Sequence, residues 1–304
     1  MYKQVHIIGS GAIGSLLAAR IQLSMKALGI ATITRHLRST AVDQVSLLEI
    51  AQPVTLSTHL NQWVHQPQSS LVILPMKSYQ LVDALCQYSP DFPCDSDVLL
   101  LHNGMVADPD IDALSHHHTI FNGTTSHAAF KPNKRTCTHT GNGKTVVGCL
   151  FASPTEEKQQ RILTLLNTAL GPAQYSQNMR LALWEKIALN AMINPLTAMH
   201  NIKNGQLLAP RFESELTSLA NEISQVMQAE SIHYNQQQVL SQSKEIMQAT
   251  AENYSSMHQD VHLGRKTEID AINGFILRCA DQHQISCPVL HRHYQAIMAQ
   301  TEDA

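Results

Sequence analysis

The stretch VHIIGSGAIGSLLAARIQLSMKALGIATIT, residues 5–34, decides the fold. Residues 5–8 form a short apolar run that is typical of a buried strand, and they lead directly into the glycine-rich segment 9–14. A helical pattern then covers residues 13–28, and residues 31–34 are again typical of a strand. The stretch therefore predicts a strand–helix–strand unit, with which a doubly wound α/β domain begins.

The alternation of strands and helices continues through the first half of the chain. Residues 70–74 and 97–101 are continuous apolar runs, as expected for parallel strands that are covered on both faces. Residues 79–88 between them predict a helix. Residues 119–122 and 145–149 predict two further strands.

The alternation ends after a helix that we place between Ser153 and Leu170. Ser153 is its predicted N-cap, Pro154 suits its first turn, and Gly171-Pro172 stops it. From residue 178 onward the pattern is helical, with predicted helices at 180–194, 212–230, 236–256 and 267–283. We therefore predict an α/β fold in which a Rossmann-type doubly wound sheet, residues 1–177, precedes an all-helical domain, residues 178–304.

The glycine-rich segment predicts a dinucleotide site, because GxGxxG stands here in its required context between a strand and a helix. Gly9 permits the tight turn, Gly11 lets the backbone approach a pyrophosphate, and Gly14 allows close packing of helix and strand. The N-terminus of the helix then offers free N–H groups and a positive dipole to the phosphates. The predicted cofactor-binding residues of this segment are Gly9, Ser10, Gly11, Ala12, Ile13 and Gly14.

The end of the second strand indicates which dinucleotide binds. An NAD enzyme commonly places an acid there to accept from the ribose 2′-hydroxyl, whereas residues 30–42 contain no acid. They contain Arg35 and Arg38, whose guanidinium groups can pair with a 2′-phosphate. We therefore expect NADPH as the cofactor. The alternative is a pair of solvated surface arginines.

A second polar feature lies within residues 181–198, LALWEKIALNAMINPLTA. Lys186, Asn190 and Asn194 recur at every fourth position, which on a helix aligns them along one face at steps of about 6 Å. The remaining surface is apolar, so the row borders a core, where polar groups need partners. A small oxygen-rich molecule could supply those partners. A solvated helix edge is the competing interpretation.

Composition excludes several classes of function. The net charge of −3 and the lack of basic runs argue against nucleic-acid binding, and no apolar run is long enough to span a membrane. The six cysteines form no CxxC pair or zinc-like spacing, and three adjacent histidines, 116–118, cannot all face one ion. We therefore expect a soluble cytoplasmic protein without a metal site.

Several motifs occur together in an order that resembles the ketopantoate reductase (2-dehydropantoate 2-reductase) family. They are GSGAIG at 9–14, LPMKSYQ at 74–80, LHNGM at 101–105, NGTTSHAA at 122–129, LWEKIALNAMINPLTA at 183–198, NGQL at 204–207, and ATAENYSSMHQD followed by TEID within 249–270. The resemblance covers nearly the whole chain. In it, HLR at 36–38 makes Arg38 a closer match than Arg35 for the phosphate-binding residue.

The resemblance implies roles for individual residues. Lys186 would be the catalytic proton donor and would also contact the substrate. The other implied substrate-binding residues are Asn190, Asn194, Asn204, Asn253 and Ser256. The implied NADPH contacts beyond the glycine-rich segment are Lys77, Asn103, Ala129 and Glu268.

Some of these residues also have a plain structural interpretation. Lys77 could flank a helix, and Asn103 with Gly104 could form an ordinary turn. Asn253 and Ser256 are spaced to share a helical face. Thr267 and Asp270 resemble a capping box, in which Glu268 would only favour the helix dipole.

The resemblance implies that the protein catalyses the NADPH-dependent reduction of 2-dehydropantoate to (R)-pantoate, a step toward pantothenate and coenzyme A. The active site would lie between the two domains, and the enzyme would be a monomer or homodimer. Two alternatives stay open. One is another NADP-dependent 2-oxo or 3-hydroxy acid reductase of the same build, and the other is a sensor that binds NADPH without turnover.

Overall fold

The computed structural model describes residues 1–37, 42–63, 69–105, 109–150 and 153–302. The chain forms two compact units. The first unit comprises residues 1–102 and 107–180, and the second comprises residues 103–106 and 181–304. The second unit therefore includes four residues from the middle of the N-terminal half, which the predicted domains, 1–177 and 178–304, assign to the first.

The first unit is an α/β unit with two sheets. Its elements are β1 (Gln4–Ile8), α1 (Ala12–Leu28), β2 (Thr32–His36), β3 (Gln44–Ser46), β4 (Val54–Thr55), β5 (His59–Leu60), β6 (Ser70–Pro75), α2 (Leu81–Tyr88), β7 (Asp97–Leu101), α3 (Pro109–Ser115), β8 (Thr119–Thr125), β9 (Ala128–Phe130), β10 (Thr136–Gly141), β11 (Thr145–Cys149), α4 (Glu156–Leu170) and β12 (Ala173–Tyr175).

The larger sheet has the strand order β12-β11-β8-β7-β6-β1-β2-β5. The strands from β5 to β8 are all parallel, and β11 pairs antiparallel with β8. Numbered by their order in the chain, these six parallel strands run 3-2-1-4-5-6 across the sheet, which is the strand order of dinucleotide-binding folds. The order reverses between β1 and β6, so ligands are expected outside the carboxyl ends of those two strands.

Burial explains why the apolar runs form the centre of this sheet. All residues of β1, β6 and β7 are buried, as expected for parallel strands that are covered on both faces. Val5 and Ile7 belong to the same core as Leu16, Leu17 and Ile21 of α1. The predicted Rossmann-type doubly wound sheet is confirmed.

A smaller sheet, with the order β4-β3-β10-β9, was not predicted from the sequence. Its strands are two to six residues long, and β10, TCTHTG, carries no run of apolar residues. It packs against α1, which contacts strands of both sheets. Such short, half-polar strands form because of the neighbours they pair and pack with, so their own sequence does not predict them.

The start of α4 corrects one prediction. The helix begins at Glu156, and its N-cap is Thr155, whose hydroxyl accepts from the Lys158 N–H. The predicted N-cap, Ser153, lies two residues before that cap. Thr155 satisfies the same requirement for a side-chain oxygen at the cap, so the chemistry of the prediction was right and its register was wrong.

The second unit is helical, as predicted. Its α-helices are α5 (Met179–His200), α6 (Glu213–Ala229), α7 (Gln236–Ala249), α8 (Ser256–His262), α9 (Phe275–Gln282) and α10 (Pro288–Glu302). Short 3₁₀ turns occur at Asn204–Leu208 and Pro210–Phe212, and a π-helical turn occurs at Asp270–Gly274. Leu183, Trp184, Ile187, Ala188 and Ala191, predicted to form the apolar side of α5, all belong to the core of this unit.

Three predicted helix boundaries in this unit are wrong. The helix predicted to end at residue 194 continues through Pro195 to His200. The predicted helix 236–256 ends at Ala249, and a new helix begins after Ser255, which caps it by accepting from the His258 N–H. The predicted helix 267–283 starts with the π-helical turn, and no capping box forms there, because the buried Thr267 hydroxyl has no hydrogen-bond partner among the described residues.

Candidate functional site

The glycine-rich loop follows β1 at the point where the strand order reverses. Gly9 has a φ of 105°, and a Cβ placed on it would meet no atom within 4 Å, so conformation alone requires glycine there. A Cβ on Gly14 would lie 3.0 Å from Pro75 Cγ, at the end of β6. The turn and the close packing that the sequence predicted for these two glycines are both present.

The loop ends at the N-terminus of α1, where Gly11 is the N-cap in an extended conformation. Gly11 offers no side-chain cap, and the first turn of α1 contains no acid. The first N–H groups of the helix, at Ala12, Ile13 and Gly14, have no intrahelical acceptor. An anion such as a pyrophosphate can therefore accept from them and benefit from the helix dipole.

Of two further predicted cofactor residues, one follows a strand of the large sheet and the other lies in the smaller sheet. Lys77 comes just after β6, and it is the N-cap residue of a short 3₁₀ turn at Ser78–Gln80. Ala129 lies in β9 of the smaller sheet and is partly exposed. Both residues belong to the first unit, as does the glycine-rich loop.

Arg35 does not have the placement that a phosphate ligand needs. Its side chain is only 3% exposed, and its Nε and Nη1 donate to Thr58 Oγ1 at 2.5 Å and to the Val42 carbonyl at 2.7 Å. Burial lowers the pKa of this guanidinium, and the charge of Asp43 partly opposes that effect. These contacts give Arg35 a structural role in the first unit. Arg38, the other predicted phosphate ligand, lies outside the described residues.

The polar row of the second unit lies on α5, opposite the apolar side of that helix. Lys186 and Asn190 are partly exposed, and Asn194 is buried. The next polar residue along this side, Thr197, donates from Oγ1 to Ser255 Oγ at 2.7 Å. The row therefore points at one end toward the N-cap of α8.

Lys186 interacts electrostatically with a carboxylate of its own unit. Burial lowers the pKa of Lys186, and the charge of Glu268 partly opposes this by stabilising the ammonium. Glu268 is 4% exposed, and its Oε2 accepts from Asn103 Nδ2 at 3.3 Å. A lysine whose pKa is lowered by burial is a better proton donor than a fully solvated lysine.

Asn103 belongs to a short segment, residues 103–105, that packs on the π-helical turn. Gly104 has a φ of 91°, and a Cβ placed on it would lie 2.6 Å from the Ala271 carbonyl oxygen. The Met105 N–H donates to that same oxygen at 3.4 Å. The chain bends at Asn103 and Gly104, and these contacts hold Asn103 beside Glu268.

Asn204 and Asn253 are brought together through their backbones. The Asn204 N–H donates to the Asn253 carbonyl at 2.9 Å, and Asn204 Nδ2 donates to Thr250 Oγ1 at 2.9 Å. Asn204 Oδ1 is buried and has no partner among the residues that the structure describes. Such an oxygen is available to accept from a ligand hydroxyl.

Asn253 and Ser256 do not share a helical face, contrary to the sequence prediction. Ser256 is the first residue of α8, and Asn253 lies before the helix. Both side chains are exposed. The hydroxyl that is built into this region belongs to Ser255 instead, which joins α5 to α8 through Thr197.

Two residues that the sequence analysis did not single out, Asn273 and Lys131, lie near the predicted site residues. Asn273, in the π-helical turn, is fully buried, and neither atom of its amide finds a partner in the described part of the chain. Lys131 donates from Nζ to the Ser10 carbonyl of the glycine-rich loop at 2.9 Å. For Lys131 the sequence offered one signal, its position two residues after the NGTTSHAA motif. For Asn273 it offered none, because a π-helical turn has no recognisable sequence pattern.

Neither a metal site nor a membrane span is found among the described residues. No group of three or more His, Cys, Asp or Glu side chains could hold a metal ion there. Within the same ranges, no helix combines the length and the apolar character that crossing a membrane requires. Of the three adjacent histidines, His118 is half-buried, and its Nδ1 lies 3.1 Å from Ser96 Oγ.

Comparison with known proteins identifies relatives over nearly the whole chain. The family model "Ketopantoate reductase PanE/ApbA" matches residues 5–151, and "Ketopantoate reductase PanE/ApbA C terminal" matches residues 178–301. The 2-dehydropantoate 2-reductase of Vibrio cholerae serotype O1 is 35% identical over 292 residues, which cover 96% of this chain and 95% of that protein.

Two solved structures share the fold over 99% of this chain and 99% of theirs. The ternary structure of D-mandelate dehydrogenase with NADH and anilino(oxo)acetate has a TM-score of 0.84 at 20% identity. A PanE/ApbA family ketopantoate reductase from Ralstonia eutropha JMP134 has a TM-score of 0.82 at 22% identity. At these identities the likeness concerns the fold.

Proposed function

The chain belongs to the ketopantoate reductase family, an oxidoreductase family, and from that membership we propose that it reduces 2-dehydropantoate to (R)-pantoate with NADPH. This reaction would serve the synthesis of pantothenate and coenzyme A. The observation that carries the proposal is the position of Lys186, a partly exposed lysine that heads the row of amides on α5 and interacts electrostatically with Glu268. A sensor that binds NADPH without turnover would need no such proton donor.

Lys186 would act as the general acid. A bound reduced nicotinamide would supply the hydride to the ketone carbon. Negative charge then develops on the carbonyl oxygen, which the Lys186 ammonium stabilises and to which its Nζ transfers a proton. Burial favours this transfer, because it lowers the pKa of the Lys186 ammonium, and the charge of Glu268 partly opposes that effect.

The amides would orient the substrate. Asn190 and Asn194 follow Lys186 at steps of one helical turn, so their side chains can hydrogen-bond the hydroxyl and carboxylate oxygens of a small acid. Asn204 Oδ1, buried without a partner among the described residues, would accept from the substrate hydroxyl. Asn253 and Ser256 would add contacts from their exposed positions.

The cofactor would bind through the glycine-rich loop, with Lys77, Asn103, Ala129 and Glu268 as further contacts. The preference for NADPH is supported by the absence of an acid between residues 30 and 42 and by the presence of Arg38. Since Arg35 is occupied by Thr58 and the Val42 carbonyl, Arg38 is our proposed ligand of the 2′-phosphate.

A second candidate function is the reduction of another 2-oxo acid. The D-mandelate dehydrogenase structure, which shares this fold, was solved with NADH and anilino(oxo)acetate. A row of one lysine and two amides suits the keto acid group that many such substrates share, so the row alone does not select ketopantoate.

One experiment separates these functions. The oxidation of NADPH and of NADH is followed by the absorbance of the reduced nicotinamide, with ketopantoate and a small panel of aliphatic and aryl 2-oxo acids. We expect the highest kcat/KM for ketopantoate with NADPH. A higher kcat/KM for an aryl 2-oxo acid would favour the second candidate, and NADPH binding without turnover of any acid would favour a sensor.

The remaining proposals concern the setting of the enzyme. We expect a monomer or homodimer in the cytoplasm that acts on a small 2-oxo acid and binds neither nucleic acid nor membranes. Light scattering of the purified protein tests the oligomeric state, and a larger assembly would contradict it.

A further inference from the structure

Two side chains of the smaller sheet hold the backbone of the glycine-rich loop. Lys131, just after β9, donates from Nζ to the Ser10 carbonyl at 2.9 Å. Cys137, in the neighbouring strand β10, donates from Sγ to the Ala12 carbonyl at 3.4 Å. The loop is therefore held at the carbonyl oxygens of two alternate residues, Ser10 and Ala12, by side chains from outside the large sheet that carries it.

These contacts orient the peptide groups that a phosphate uses. In a planar trans peptide the carbonyl oxygen and the following N–H point in opposite directions. Lys131 on the Ser10 oxygen thus aims the Gly11 N–H away from the smaller sheet, and Cys137 on the Ala12 oxygen does the same for the Ile13 N–H. Gly11 and Ile13 lie at the N-terminus of α1, where a pyrophosphate would accept hydrogen bonds.

The two contacts differ in strength. A hydrogen bond from an ammonium is about twice as strong as a neutral one, and it polarises the peptide so that its N–H becomes a better donor. The Cys137 thiol is a weak donor. Burial raises its pKa to about 11, and the nearby charge of Lys131 opposes this only in part, so the thiol is uncharged at neutral pH.

We propose that Lys131 is a positioning residue for the dinucleotide, which fixes the Ser10–Gly11 peptide so that its N–H is presented to the pyrophosphate. The inference rests on the dinucleotide binding in the proposed function and not on the identity of the 2-oxo acid. Because NADPH and NADH share the pyrophosphate, Lys131 contributes equally to the binding of both. A ligand of the 2′-phosphate would act on NADPH alone.

The test compares Lys131→Met, which keeps the length of the side chain without its charge, with Lys131→Arg and with Lys134→Met as a matched control. Lys134 lies three residues further along the same connection and is exposed. Dissociation constants for NADPH and NADH are measured by titration of the full chain. At saturating cofactor, kcat and the KM for the 2-oxo acid are measured as well.

We expect Lys131→Met to weaken both dinucleotides by the same factor, about five- to tenfold, which is about 1–1.4 kcal/mol. Lys131→Arg restores affinity to within about twofold, since a guanidinium is also a charged donor. The saturated kcat and the substrate KM stay unchanged, and Lys134→Met behaves like the wild type.

Each contrary outcome is distinct. If Lys131→Met binds both dinucleotides like Lys134→Met, or loses NADPH but not NADH, the inference is wrong and the proposed function stands. If the wild-type protein binds neither dinucleotide, the proposed function and the inference are both wrong. If Lys131→Met unfolds, Lys131→Gln decides in its place by the same comparison of NADPH with NADH.

Discussion

The glycine-rich loop and the polar row on α5 are built from different parts of the chain. In the proposed function the loop would bind a ligand through backbone N–H groups, and it requires a particular conformation, a φ of 105° at Gly9. The row uses a regular helix, and its requirement is the chemistry at the tips of Lys186, Asn190 and Asn194. Substitutions in the loop should therefore change cofactor affinity, and substitutions in the row should change turnover or substrate affinity.

The sharpest test of this separation is Lys186→Ala. We expect kcat to fall by about 10²–10⁴, the usual contribution of a positioned proton donor, whereas NADPH affinity changes little. The helix should persist, since alanine is the best helix former. Lys244→Ala serves as the control, because Lys244 forms a surface ion pair with Glu213 in the same unit. A folded Lys186→Ala enzyme with full activity would remove Lys186 from the mechanism.

The converse test is Gly9→Ala, which adds a methyl group that meets no neighbour and acts only on conformation. Holding alanine at this φ costs about 1–3 kcal/mol, so cofactor affinity should fall by about five- to 150-fold while the saturated kcat is preserved. Gly29→Ala is the matched control, because Gly29 also has a positive φ, 65°, but ends α1 far along the chain from the loop. It should cost thermal stability without changing cofactor affinity. Equal affinity losses in both variants would refute the role of the loop.

Within the row, the amides should behave differently from the lysine. Asn190→Ala and Asn194→Ala should each raise KM through the loss of a hydrogen bond worth about 1–3 kcal/mol in a desolvated site, with a smaller effect on kcat. Steady-state kinetics with ketopantoate checks this. Near-wild-type KM values for both would mean that the row is a solvated helix edge.

The choice between NADPH and NADH tests the segment that follows β2, which contains Arg38. NADPH should bind at least about tenfold more tightly than NADH, which corresponds to about 1.4 kcal/mol. Arg38→Ala should remove much of that difference and leave the melting temperature unchanged. Arg35→Ala should lower the melting temperature, since it removes the hydrogen bonds to Thr58 and the Val42 carbonyl. Equal dissociation constants for the two cofactors in the wild type would contradict the NADPH assignment.

The smallest expected effect is a shift in pH dependence. Burial lowers the pKa of Lys186, and the charge of Glu268 raises it. Glu268→Gln removes the raising contribution, so the pKa of Lys186 should fall further and the ammonium should be lost at a lower pH. The alkaline limb of the kcat profile should accordingly move to lower pH. An unmoved limb, measured at saturating substrate and cofactor, would show that Glu268 does not act on Lys186.

The sequence predicted the loop better than the surroundings of the row, for a physical reason. Glycines spaced as GxGxxG after a strand predict a particular backbone conformation directly, and the observed strand order and the φ of Gly9 agree with that prediction. Fourfold spacing predicted which side of α5 is polar but could not reveal its counter-charge, because Glu268 follows Lys186 by more than eighty residues. Arg35 shows the opposite limit, since its charge suggested a ligand and only the structure shows it bonded to Val42 and Thr58.

Helix ends were the weakest predictions. The helix predicted over residues 180–194 continues through Pro195 to His200. The π-helical turn at Asp270–Gly274 has no sequence signature, and the capping box expected at Thr267 and Asp270 did not form. In each case tertiary packing outweighed a local preference of the chain.

The bend at residues 103–105 has a consequence for the modularity of the enzyme. These three residues are encoded in the middle of the N-terminal half but belong to the helical unit, where Asn103 donates to Glu268 and Gly104 lies against Ala271. A fragment that starts at Leu181 would lack them. The C-terminal half is therefore not a self-contained module. In a chimera made by exchanging C-terminal halves between relatives, Glu268 would come from one protein and the segment that carries Asn103 from the other.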